Sequence, residues 1–253
     1  MTIQVALPTA TKIVANNVRS LTALSLFCLM TGCATAPAGT VNDPYESFNR
    51  SMFTFNDALD RVALKPAATA YQAVTPGFVR TVVSNFFANL AEPWVAVNAA
   101  LQLKGQATVE TILRFAVNTY FGLGGALDIA SSMGLERRNE DFGQTLGHWG
   151  ANSGPYLVLP IFGPTTVRDS AGLVVDAQGD PVNRAPTVLS TTADGLSILR
   201  LISFREKVLN AGNLLDEAAL DKYTFTRDVF LQRRQALVFD GQEPPEAEAP
   251  PSK

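Results

Sequence analysis

RTVVSNFFANLAEPWVAVNAALQLK, residues 80–104, carries a single charge, Glu92, between its two terminal cations. Thr75-Pro76 ahead of it reads as a helix start, and Val79, Val82, Val83, Phe86, Phe87 and Leu90 then give a wide apolar face. Glu92-Pro93 interrupts the pattern, because an interior proline removes a helix hydrogen bond and clashes with the preceding turn. Trp94, Val97 and Leu101 predict a second short helix ending near Lys104-Gly105. A third is expected from about Ala107 to Phe121, closed by Gly122-Leu-Gly-Gly125 as a glycine C-cap. Helices this short and interrupted do not cross a bilayer, which takes roughly 20 apolar residues. They are apolar enough to lie within one leaflet, or to be buried core helices. Patterning alone leaves both open.

Upstream, Asp43-Pro44-Tyr45-Glu46 predicts a helix with Asp43 as N-cap, and Phe48, Met52, Phe55 and Leu59 follow at helical spacing. Downstream, residues 142–167 hold no Asp, Glu, Lys or Arg, and their glycines and prolines forbid a long helix. Within them, Pro155 to Pro160 reads as an apolar extended segment or loop. Residues 190–216 predict one or two amphipathic helices and 217–239 another, with Arg227-Asp228 and Arg233-Arg234 on solvated faces. No sustained strand alternation or internal repeat is visible, so the expected fold is mostly α. Residues 241–253 form an acidic, Pro-rich end of disordered composition.

The N-terminus has its own logic. Lys12 and Arg19 precede the apolar run at residues 21–30, and no acidic residue occurs before Asp43. That is a signal-peptide layout, here residues 1–32. Met30-Thr-Gly-Cys33 resembles the lipobox of bacterial lipoproteins, with Met30 where Leu is usual. Cys28 would leave with the signal, so Cys33 would have no intramolecular partner, and a lone thiol in an exported chain needs an explanation. Lipidation at Cys33, followed by a flexible tether over residues 33–42, supplies one. Losing Lys12 and Arg19 moves the formal charge from −3 to −5. A mildly acidic chain lacks the electrostatic footprint of a nucleic-acid binder.

No catalytic machinery is visible. His148 is the only histidine, and with Cys33 as the one mature cysteine a zinc site is not expected. Ser153, His148 and Asp169 supply the residue types of a hydrolytic triad. Yet Ala151-Asn-Ser-Gly-Pro155 lacks the first glycine of a nucleophile elbow. His148 is expected to bond backbone instead. Gly122 to Gly125 follows a helix and has no lysine, unlike a phosphate loop. Arg114 and Asn118, four apart, share one face of an apolar helix. They belong either to a satisfied buried network or to the wall of an amphipathic conduit.

Several ordered strings together resemble the MlaA (VacJ) lipoproteins. They are Asp43-Pro-Tyr-Glu-Ser-Phe-Asn-Arg50 with Met52 and Phe55-Asn56; Ser84-Asn85-Phe86 with Asn89-Leu90 and Glu92-Pro93; and Arg114-Phe115 with Asn118-Thr119. Gly122 to Gly125 with Asp128, Phe142-Gly143 with Thr145-Leu-Gly-His148, Gly154-Pro-Tyr156, Leu159-Pro160 and Arg168-Asp169 continue the series. Tyr223, Arg227 and Gln232-Arg233 extend it more loosely. The resemblance implies a helical domain over residues 43–240. Its fold would be a ring of short amphipathic or apolar helices with a central channel, embedded in the periplasmic leaflet of the outer membrane. Ala34 after the cysteine agrees with that membrane. The implied function is removal of mislocalised outer-leaflet phospholipid and its transfer to a soluble periplasmic carrier, beside a trimeric porin, without catalysis, cofactor or metal. Cys33 would be the lipid anchor; Arg114, Asn118 and His148 are candidate channel or lipid contacts. The alternative is a structural lipoprotein that organises porins without moving lipid.

Overall fold

The computed structural model describes residues 43–183 and 190–242. The signal peptide, Cys33, the tether and the end of the acidic tail lie outside them. The described chain is mostly helical, as expected. Helix α1 (Glu46–Leu59) runs through a π-helical turn (Asp60–Leu64) into α2 (Lys65–Val74). Then come α3 (Gly77–Leu101), α4 (Gly105–Tyr120), α5 (Ile129–Ser132) and α6 (Phe142–His148). A hairpin of β1 (Tyr156–Leu159) and β2 (Gly163–Thr166) precedes α7 (Val167–Gly179), α8 (Ser190–Lys207), α9 (Leu209–Ala218) and α10 (Lys222–Val238).

Two expectations change here. Pro93 does not divide the 80–104 stretch: α3 is one helix of 25 residues with Pro93 inside. Its packing along α4, the most extensive helix pair, holds it through the lost hydrogen bond. At about 1.5 Å per residue its length would suffice to cross a bilayer, but Asn85, Asn89, Glu92 and Asn98 lower its hydropathy. No helix among the described residues is long and apolar enough to cross. Second, Asp43 is not a side-chain cap. Its carbonyl accepts from the Glu46 amide, while its carboxylate is buried and takes bonds from Asn49 Nδ2 at 2.8 Å and from the Tyr223 hydroxyl.

Of the two readings of segment 155–160, the extended one holds over Tyr156–Leu159, and that strand pairs. β1 and β2 are antiparallel, with Tyr156 opposite Thr166 and Leu159 opposite Gly163. Helix α1 docks on β1 through two asparagines. Asn49 donates to Tyr156 O at 3.0 Å and accepts from Val158 N at 2.9 Å. Two turns later, Asn56 donates to Leu159 O at 2.9 Å and accepts from Ile161 N at 2.7 Å. The side-chain amides thus serve β1 as a neighbouring strand would. Below the hairpin, Tyr156, Val158 and Tyr223 form a hydrophobic cluster with Met52, Phe53, Phe230 and Leu231 packed on it.

Candidate functional site

Along α3 and α4 the usual burial rule is inverted. The buried side chains include Ser84, Asn89, Glu92, Asn98, Gln102, Thr111, Arg114 and Asn118. The exposed ones include Phe78, Phe86, Val97, Leu101, Val109, Ile112 and Leu113. The helix end and the turns beyond are more extreme: Tyr120, the last residue of α4, is 82% exposed, Leu103 87% and Leu123 77%. The largest fully buried side chain among the described residues is Arg114. A monomer in water rarely exposes so continuous an apolar surface, and a buried charge is costly unless paired.

Arg114 is paired in every direction. Its Nε donates to Glu92 Oε1 at 3.1 Å, its Nη2 to Asp128 Oδ1 at 3.0 Å, and its Nη1 to Ser131 Oγ at 3.2 Å and to the Leu135 carbonyl. Arg137 adds a second cation, 3.1 Å from Asp128 Oδ2. Burial pushes the Glu92 carboxyl up, against the pull of the Arg114 bond. Burial also opposes ionisation of Asp128, but bonds from Ser131 and Asn118 and the Arg114 charge outweigh it and hold the acid at about 2.

Asn118 completes the lattice. Its Nδ2 donates to Asp128 Oδ1 at 3.0 Å and its Oδ1 accepts from Ala130 N at 2.9 Å. Its carbonyl accepts from Gly125 N at 2.8 Å, which closes the expected glycine turn after α4. Leu123, Gly124 and Gly125 all take positive φ there. At Gly125 a side chain is also barred by space, because its Cβ would press into the Asn89 amide. Arg114 and Asn118 therefore both spend their polar atoms on the junction between α3, α4 and α5.

A second polar cluster lies at the other end of α3. Gln102 Nε2 donates to Glu140 Oε2 at 3.0 Å and to Thr145 Oγ1 at 3.2 Å, and Thr145 donates to Asn98 Oδ1 at 2.9 Å. Lys104 reaches Glu140 and Asp240. A third joins α6, α7 and α10. Arg234 grips Asp141 with both Nη atoms, at 2.5 and 2.6 Å, and Asp169 with Nε at 2.8 Å. Burial opposes the Asp141 charge, but Arg234 keeps that carboxyl below its ordinary range. Arg234, expected in solvent, is in fact mostly buried. Arg227 is too: it stands 3.6 Å from Asp43 and over the Tyr223 ring.

His148 sits apart from Arg114 and Asn118. It ends α6, is exposed and makes none of the side-chain hydrogen bonds among the described residues, so the expected backbone bond is absent. Its neighbour Trp149 donates from Nε1 to Leu101 O at 3.0 Å. The residues of the imagined triad are otherwise engaged: Ser153 Oγ bonds Gly154 O, and Asp169 is held by Arg168 and Arg234. Sequence reading did not single out Glu92 and Asp128 as partners of Arg114. A signal was present: Glu92 is the one acid of α3, and Arg114 the one cation of α4.

The model of a family described as MlaA lipoprotein matches residues 41–237. The chain belongs to the MlaA lipoprotein family. It is 35% identical over 231 residues to the intermembrane phospholipid transport system lipoprotein MlaA of Shigella flexneri, covering 87% of this chain and 90% of that one. The Escherichia coli K12 protein of the same name is 34% identical with the same coverage. An uncharacterised protein of Rickettsia typhi is 37% identical over 201 residues, 78% of each chain. A solved chain from work on the structural basis for maintenance of bacterial outer membrane lipid asymmetry superposes with a TM-score of 0.67 at 34% identity. It covers 78% of this chain and 100% of its own length. The MlaA match spans the Arg114 lattice, the Arg234 cluster and the asparagine-clamped hairpin alike.

Proposed function

We propose that the chain is a phospholipid-transport lipoprotein of the outer membrane that keeps the two leaflets different. Its helices lie in the periplasmic leaflet with their apolar sides in hydrocarbon, and lipid misplaced in the outer leaflet passes through an amphipathic channel among them. A soluble periplasmic carrier takes the lipid onward, a trimeric porin stands alongside, and Cys33 bears the lipid anchor. The observation that carries this reading is the inversion along α3 and α4, with apolar side chains outside and Asn, Gln, Glu and Arg within. In lipid a buried polar group needs an internal partner, and the Arg114 lattice supplies one to the Arg114 guanidinium, the Asn118 amide and the Asp128 carboxylate.

In this reading Arg114 and Asn118 support the channel wall from behind, by fixing the glycine turn. His148, exposed beside Trp149 at the end of α6, stands where a headgroup can reach it. The test is deletion of the gene, with surface phospholipid measured by amine labelling of intact cells. Outer-leaflet phospholipid is expected to rise, together with detergent sensitivity, and the wild-type chain to restore both. Unchanged surface phospholipid in a clean deletion would overturn the reading in favour of a structural lipoprotein that organises porins.

A further inference from the structure

Between α3 and α4 lies a groove of about 320 Å³, lined by Pro93, Ala96, Val97, Ala100, Ile112 and Phe115, with Thr108 and Glu92 also in its lining. The walls are hydrocarbon. They are continuous with the exposed apolar face of Val97, Leu101, Val109 and Ile112, so in a membrane this groove opens onto acyl chains. Pro93 helps make the groove: its ring lines the wall where another residue would carry a flexible side chain.

Glu92 makes this more than a greasy slot. It is 2% exposed, and Arg114 engages only its Oε1. Its Oε2 is buried without a hydrogen-bond partner among the described residues, as is the Thr111 hydroxyl of α4. A buried carboxylate oxygen with no donor is costly. Whatever fills the groove gains by bringing a donor to it. Arg114 meets Glu92 Oε1 and Arg137 approaches that same oxygen at 3.9 Å, so what the other oxygen lacks is a hydrogen-bond donor.

We propose that this groove seats one acyl chain of a phospholipid whose head carries an N–H or O–H donor, and that Glu92 Oε2 receives that donor. The proposal rests on the lipid-transport reading and names its substrate class. An ethanolamine or glycerol head qualifies; a choline head, with no N–H or O–H, does not. Glu92 acts as a specificity-determining residue, and the α3–α4 walls hold the chain.

The experiment uses the full lipidated protein in detergent with phospholipids carrying a photoreactive diazirine on one acyl chain. Crosslinks are mapped by peptide mass spectrometry. Phosphatidylethanolamine is expected to label α3–α4 peptides about fivefold more than phosphatidylcholine, the size of one added hydrogen bond. Ala100→Phe, at an exposed rim position, fills the groove and is expected to lower that labelling about tenfold. Glu92→Gln, checked for helical content by circular dichroism, is expected to bring the two lipids together. Equal labelling by both lipids in the wild-type chain overturns the role of Glu92. Undiminished α3–α4 labelling in folded Ala100→Phe, or labelling confined to other peptides, overturns the groove while leaving lipid handling intact. No labelling anywhere overturns the transport reading itself.

Discussion

The α3–α4 region and the corner where α1, the hairpin and α10 meet solve the burial problem in opposite ways. In the corner, Tyr156, Val158 and Tyr223 are buried, and rings meet edge to face at 5.8 Å between Phe53 and Tyr223 and 6.2 Å between Tyr156 and Tyr223. Cohesion there is hydrophobic, and it needs water outside. Along α3 and α4 the interior is largely polar, with Phe87 and a few alanines beside it, and many large apolar side chains face out. Cohesion there comes from directed bonds around Arg114, which lose nothing when the surroundings are hydrocarbon. The lesson is that one small chain can carry a half built for lipid and a corner built as in water-soluble proteins.

The sharpest way to break the contrast is Arg114→Leu. It leaves Glu92 and Asp128 short of their shared cation, and a buried pair broken on one side costs about 3–5 kcal/mol. Chemical denaturation in detergent, followed by circular dichroism, is expected to show that loss. A variant as stable as wild type would mean the lattice does not hold this half together. Next in size is Phe121→Asp, at an exposed apolar position after α4. A carboxylate at membrane depth costs up to about 3 kcal/mol. In a Cys33→Ala background, flotation with vesicles is expected to drop, whereas solubility in buffer holds or improves. Unchanged flotation would place that turn outside the membrane.

The smallest effects sharpen the corner. Tyr223→Phe removes the hydroxyl that Asp43 accepts from, at an expected cost of about 1–3 kcal/mol. Tyr156→Phe removes a buried hydroxyl that has no partner among the described residues, so stability is expected to hold or rise slightly. Thermal melts of the two variants test the difference; equal losses would mean that the Asp43 bond adds nothing.

What the sequence revealed follows what is local. The turn after α4 and the helical character of residues 190–239 are set by neighbours a few residues apart and were legible, whereas the number of helices there and the pairing of segment 155–160 were left open. Pro93 misled, because a proline normally ends a helix and only the partner helix α4 shows that this one continues. Asp43 and Arg234 misled for the same reason: Tyr223 is 180 residues from Asp43, and Asp141 is 93 from Arg234. Arg114 and Asn118 were legible as a polar pair on one face, but their partners come from α3 and α5. Nothing local separates a buried lattice from a conduit wall. His148 drew notice by being alone, which carries no information about where it sits.

The two asparagines of α1 make helix and hairpin commensurate. Asn49 and Asn56 are seven residues apart, about 10.5 Å along a helix. The backbone sites they grip centre on Leu157 and Pro160, three strand residues or about 10 Å apart. Two turns of one element thus match three steps of the other, like a vernier against its scale. Substitutions between the marks leave this phase untouched. Losing or gaining a single residue does not: it swings one amide about 100° around α1 and uncouples that end of the hairpin, so this stretch tolerates changes of letter far better than changes of length.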